Sequence, residues 1–158
     1  MAVRSIVLLG DPVLRARAAV ITAFDAGLKA LAADMLDTMY AAPGRGLAAP
    51  QVGVSLRLFV MDIGWKEGAP NPQVFVNPRL TDASDVMVPF TEGCLSIPGQ
   101  TSRVARPDRV ELQWQDLDGV AHDGWFDGFA AVCVQHERDH LDGILCIDLP
   151  VVPEATQE

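Results

Sequence analysis

An α+β domain with mostly antiparallel strands is the fold class this sequence predicts, and three observations predict it. Two segments, one toward each end of the chain, carry apolar residues at helical spacing. Between them lie short runs rich in Val, Leu and Phe, one of which alternates apolar with polar residues and returns through a turn suited to a hairpin. No repeat, low-complexity tract or linker divides the 158 residues, so they are expected to form one domain with a real core. Helices that bracket a group of strands describe segregated layers.

The elements follow in order. Asp11 and Pro12 read as the cap and first residue of a short helix through Val13 and Leu14. Asp25 opens a longer helix reaching about Ala42, with Leu28, Leu31, Met35, Leu36 and Met39 on one stripe and Pro43-Gly44 ending it. Residues 56–62 and 74–77 then read as strands. Val110, Leu112 and Trp114 alternate with polar residues, which buries one face of their strand. Asp118-Gly119 supplies a hairpin turn, and residues 120–126 return. The second long helix spans about 128–141, with Asp127 as its cap and Gly143 at its end. Residues 151–158 are expected to fray.

Composition excludes several roles. A formal net charge of −9 argues against binding nucleic acid through phosphate neutralisation and against docking on an anionic membrane. No apolar run approaches membrane-spanning length, and residues 1–7 lack the apolar stretch and cleavage site of a signal peptide. A cytoplasmic enzyme is the simplest reading. Cys94, Cys133 and Cys146 are odd in number and widely spaced, which suits reduced thiols rather than a disulfide framework.

The chemistry concentrates in Gln135-His136-Glu137-Arg138-Asp139-His140, an H-E-x-x-H run. Residues four apart share one helix face, so both imidazoles can reach one metal with Glu137 beside them as a proton acceptor. A single histidine on such a face reads as a hydrogen-bonded core residue. Two around a glutamate, in a chain with only three histidines, favour the metal. Phe129, Val132 and Cys133 continue the same stripe. A third ligand must come from outside the helix. Cys94, in Glu92-Gly93-Cys94-Leu95-Ser96, is the candidate, with a small buried hydrophobe as its alternative. Residues 96–99 leave this segment along a turn-like path. Cys133 and Cys146 read as packing, and His122 as a surface histidine.

Three segments in this order resemble the peptide deformylase family: Gly44-Arg45-Gly46-Leu47-Ala48-Ala49-Pro50-Gln51, Glu92-Gly93-Cys94-Leu95-Ser96, and Gln135-His136-Glu137-Arg138-Asp139-His140-Leu141. A weaker likeness covers Leu9-Gly10-Asp11-Pro12-Val13-Leu14-Arg15 and Val76-Asn77-Pro78. The resemblance implies a single deformylase-like domain built around a central metal-binding helix. It implies hydrolysis of the formyl amide on the N-terminal methionine of new polypeptides. Cys94, His136 and His140 would bind one divalent metal, Fe2+ in the family, with Zn2+ or Ni2+ able to occupy the site. Glu137 would move the proton, and the Gln51 side chain and the Leu95 backbone N–H would stabilise the oxyanion; by itself Gln51 also reads as a residue that hydrogen-bonds its loop. Phe90, Phe129, Val132 and Cys133 would line the methionine pocket, with ordinary core packing as their alternative reading, and Gly46 would pair with substrate backbone. Glu92 would orient a ligand, with Arg106 paired to it, and Asp139 would support the fold.

The resemblance is imperfect at three places. Arg45 stands where the family usually has an aliphatic residue lining the pocket; it can lie across the rim, narrow the pocket or favour a nearby acidic group. Thr101 stands where many members carry an arginine that assists peptide binding. Glu154 and Glu158 give the tail no basic character for ribosome docking. The expected partners are formylated nascent peptides, met transiently near the ribosome without a basic tail, with no nucleic acid or membrane bound and the protein a monomer. The competing readings are a related metalloamidase or peptidase with another preference, and a non-catalytic metal-binding homologue.

Overall fold

The computed structural model describes residues 2–153. Asp25 starts helix α1, Ala26–Ala41, and its carboxylate accepts from the Leu28 N–H at 3.0 Å, satisfying one of the orphan donors of the first turn. The expected stripe is buried at Leu28, Leu31, Met35 and Met39, whereas Leu36 sits at the margin of the core. The short Asp11-capped turn, Pro12–Arg15, is 3-10 rather than α.

Strand β1, Gly46–Ala48, is followed by β2, Leu58–Met61, and β3, Gln73–Ala83. The second strand is shorter than the sequence predicts and the third runs six residues further, past Asn77 at φ 50 and through irregular pairing. A hairpin then forms from β4, Met87–Cys94, and β5, Ile97–Pro107. Residues 97–99 belong to its second strand, which corrects the turn-like path expected for them; the turn itself is Leu95-Ser96. Strands β6, Arg109–Gln115, and β7, Ala121–Asp127, form the expected hairpin, and helix α2, Gly128–Leu141, follows directly. Asp127 occupies the cap position of α2, but its side chain makes no capping bond.

Five strands form one sheet in the order β1-β2-β3-β6-β7, and β4-β5 form a second. All pairings between these strands are antiparallel. This is an α+β domain. Strand β2 explains the layering. Leu58 and Val60 join the α1 residues in one core, while Phe59 and Met61 join Phe75, Leu112, Ala131 and Val134 in another. Alternate residues of a strand point to opposite faces, so an unbroken apolar run means helices on both sides. Each such side chain contributes roughly 1.5–3 kcal/mol on burial. Phe59 and Phe75 stack at 4.5 Å between centroids beneath α2.

The C-terminal end of α2 is fixed from the sheet. Arg57 donates to the Leu141 carbonyl and pairs with Asp142, both at 2.9 Å, placing a cation where the last carbonyls are unpartnered. Of the tail expected to fray, Val151 bridges to Val104 and the Val152 N–H donates to Arg103. Glu154 and Glu158 lie outside the described residues.

Candidate metal centre and peptide cleft

Helix α2 presents two imidazoles from one face: His136 and His140 stand one turn apart with ring centroids 5.0 Å from each other. Cys94 meets them from the tip of the β4–β5 hairpin. The pairing there slips, because Gly93 faces Thr101 whereas Cys94 faces Ile97. A bulge of this kind re-aims a side chain at the end of a strand. Cys94 Sγ lies 3.5 Å from His140 Nε2, and one ligand atom from each of Cys94, His136 and His140 lies within 4.8 Å of the others. A thiolate and an imidazole bound to one tetrahedral ion at about 2.3 and 2.1 Å stand ~3.6 Å apart. The Cys94–His140 spacing therefore fits one divalent metal, and all three donor types suit such an ion.

A buried charge chain orients one of the two imidazoles. His136 Nδ1 is 2.9 Å from Glu92 Oε1. Arg106 grips the same carboxylate twice, at 2.6 and 2.9 Å, and reaches Asp139 at 2.9 Å. With Nδ1 donating to Glu92, His136 keeps the Nε2 lone pair for a metal. Burial works against charge on Glu92, but its bonds to His136 and Arg106 outweigh that and lower its pKa. Burial likewise opposes a charged Arg106, yet Glu92 and Asp139 hold it protonated. Burial lowers the His136 pKa, but its bonds to Cys94 and Glu92 carry it well above the ordinary value. Surroundings that favour a proton there also favour a metal cation. Burial, with the positive charges of His136 and Arg106, pushes His140 well down, which keeps its imidazole neutral as a ligand must be.

Cys146 lies close to Glu92 and His136, so these three form a second tight group. Both Glu92 oxygens are already engaged by Arg106 and His136, and burial pushes the Cys146 thiol up. This group is packing. Cys133 is also held as a thiol by burial, and its Sγ lies 3.9 Å from the Arg45 carbonyl.

Glu137 is buried beside Cys94, His136 and His140. Its Oε1 has no hydrogen-bond partner among the described residues, and neither has His140 Nδ1. Burial pushes the Glu137 carboxyl up to about 7. Gly46 comes so close to it that a Cβ there would stand 2.5 Å from Glu137 Oε2. Gln51 faces the centre from the other side. Its Oε1 accepts from the Ala48 N–H at 3.0 Å, which fixes the amide so that Nε2 donates to Ser96 Oγ at 3.1 Å and lies 3.6 Å from Cys94 Sγ. Gln51 thus both ties the loop and directs a donor at the site.

The centre opens into a cavity of about 520 Å³. Arg45, Gly46 and Gln51 line one wall, and Phe90, Glu92, Cys94 and Leu95 the hairpin wall. Phe129, Val132, Cys133, His136 and Glu137 form the helix wall. Arg106 and His140 stand behind it. Thr101 lines the hairpin wall with no charge to offer a peptide. Arg45 pairs with Glu67 at 2.8 Å, donates to the Ile63 carbonyl, and holds its guanidinium 5.7 Å from the Phe129 ring centre. His122 is exposed and away from the centre, bonded to Asp116 and stacked on Trp114. Three participants have roles that the sequence motifs do not reveal. Ser96 is the acceptor that aims Gln51; it was visible in the Cys94 segment but carried no sign of its partner. Lys66, on the cavity wall, and Glu67, on Arg45, come from a short turn with no motif at all.

A family model described as polypeptide deformylase matches residues 3–154. The peptide deformylase of Maricaulis maris is 47% identical over 148 residues, covering 94% of this chain and 85% of that protein. That of Zymomonas mobilis is 47% identical over 152 residues, covering 94% and 86%. Among solved structures, the peptide deformylase of Thermotoga maritima superposes with a TM-score of 0.91 at 40% identity, covering 97% of this chain and all of that one.

Proposed function

The chain belongs to the peptide deformylase family, metal-dependent hydrolases that remove the N-formyl group from the N-terminal methionine of new polypeptides, and from that premise we propose that Cys94, His136 and His140 hold its metal while Glu137 moves the proton. The observation that supports this most is the convergence of one thiolate and two imidazoles beside a buried carboxyl with an unpartnered oxygen. Iron(II) is the metal proposed, with Zn2+ or Ni2+ able to replace it, since thiolate and imidazole donors suit all three. When bound, the ion lowers the pKa of water and polarises the formyl oxygen.

The protein's own groups divide the remaining work. Glu137 takes the proton from the attacking water and returns it to the methionine nitrogen as the C–N bond breaks, giving formate and a free amine. A carboxyl raised to about 7 is matched to both halves of that transfer. Gln51 Nε2 and the Leu95 N–H stabilise the charge that develops on the formyl oxygen. Strand β1 is an edge of its sheet and lies along the cavity. The peptide adds to that edge through main-chain bonds at Gly46, which accepts many sequences, while Phe90, Phe129, Val132 and Cys133 receive the methionine side chain. Glu92 and Arg106 hold His136 in place from behind. We further propose a cytoplasmic monomer of one domain that meets its substrate near the ribosome. Free cysteines suit that compartment, and none of the described helices is long and apolar enough to cross a membrane.

The test is to prepare the protein anaerobically with iron, measure bound metal, and compare formyl-Met, acetyl-Met and internal peptide bonds on the same sample. Hydrolysis strongly favouring the formyl group is expected, and Glu137→Ala should abolish most of it with metal retained. Equal rates on formyl and acetyl peptides, or undiminished turnover in Glu137→Ala, would refute the mechanism.

A further inference from the structure

The chain carries 21 acidic and 12 basic residues, yet the charged residues reaching solvent along the cavity wall are Arg45 and Lys66. The carboxylates on that wall, Glu92 and Glu137, are buried at the metal centre. We propose that Arg45 and Lys66 form a cationic subsite at the cleft mouth that receives an acidic side chain at the third residue of the formylated peptide, a specificity that rests on the deformylase reading of the cleft.

Arg45 is tethered directly, and the turn that carries Lys66 is anchored through Trp65. Trp65 donates its indole N–H to the Gly44 carbonyl at 2.9 Å, and the Tyr40 ring meets it edge-on at 5.2 Å. Lys66 Nζ lies 5.7 Å from the centre of the Trp65 ring and has no carboxylate partner among the described residues. Arg45 is anchored through Nε to Ile63 and through Nη2 to Glu67, while its Nη1 has no hydrogen-bond partner among the described residues. The guanidinium covers Phe129, an edge of the apolar pocket. A peptide added along β1 is extended, so its first and third side chains share a face, about 6.6 Å apart. With methionine in the apolar pocket, the third side chain lies outward on the same side, toward Arg45 and Lys66. Glu67 is then an internal competitor: it holds part of the Arg45 charge that an acidic substrate residue would otherwise use.

Exposed ion pairs are weak and screened by salt, so the preference for Asp over Asn at the third residue should be about threefold to fivefold at low ionic strength and fade as salt is added. The assay compares kcat/KM for formyl-Met-Ala-Asp, formyl-Met-Ala-Asn and formyl-Met-Asp-Ala, all with amidated C-termini. The preference should reside in KM, because these groups contact the substrate equally before and during reaction. Lys66→Gln should shrink the ratio of Asp to Asn rates, and Glu67→Gln should enlarge it. Equal rates for Asp and Asn, a gain only when Asp is second, or indifference to Lys66→Gln would overturn the subsite. An Asn peptide that is not deformylated at all would instead overturn the deformylase mechanism. In that event the affinities of Met-Ala-Asp and Met-Ala-Asn, measured by calorimetry on wild type and Lys66→Gln, decide the subsite separately.

Discussion

Replacing Gly46 with alanine should disable the enzyme while leaving it folded. The new Cβ would stand 2.5 Å from Glu137 Oε2, 2.9 Å from Cys133 Sγ and 3.0 Å from Glu137 Cδ. Ordinary contact begins at 3.4 Å, so the carboxylate must retreat by about 0.9 Å. A misplacement of about 1 Å in a catalytic group costs on the order of 10²-fold, or ~2.7 kcal/mol of barrier. Overpacking adds about 1–3 kcal/mol of destabilisation, which a folded domain survives. The assay is kcat on a formyl-Met peptide, with metal content and thermal unfolding on the same preparation. Two comparisons isolate the cause. Gly44→Ala meets the Leu95 Cδ1 at 2.8 Å, the end of a side chain that can rotate away, so its loss should stay within about fivefold. Adding Cys133→Ala to Gly46→Ala removes the sulfur contact but not the carboxylate contact, and should not restore activity. A Gly46→Ala enzyme with near-normal kcat and full metal, or one rescued by Cys133→Ala, would refute the placement of Glu137.

Two other perturbations test the surrounding charges. Arg106→Met leaves Glu92 and Asp139 buried without their cation; it should cost about 3–5 kcal/mol in urea denaturation and weaken metal binding about 10–100-fold in chelator competition. Unchanged values in both would show that the charge chain orients nothing. In metal-free protein, burial raises the Glu137 pKa from 4.5 to about 7, so folding favours its protonated form. That contribution, on the order of 3 kcal/mol, is full below pH 4.5 and is lost as pH rises toward 7. Stability of the metal-free wild type should fall across that window relative to Glu137→Gln; parallel curves for the two would contradict a raised Glu137.

Local pattern carried much of this protein. The helical stripe placed His136 and His140 on one face, with Glu137 beside them, because a spacing of four is a property of the helix alone. The Asp25 cap, the Asp118-Gly119 return and the alternation of Val110, Leu112 and Trp114 were legible for the same reason. Strands β4 and β5 were not. Most of their residues are outside the core, and Pro89, Gly93, Pro98 and Gly99 are residues that punctuate chains; they become strands by pairing with each other. That pairing, slipped at Gly93, is what brings Cys94 to the histidines. The reach of Arg106 to both Glu92 and Asp139, and of Arg45 to Glu67, spans segments that no local period connects. The sequence by itself determined which residue types are present and which share a face of one element. Only the tertiary structure decided how the faces of different elements meet, because that depends on strand register and on side chains packing to contact across the chain.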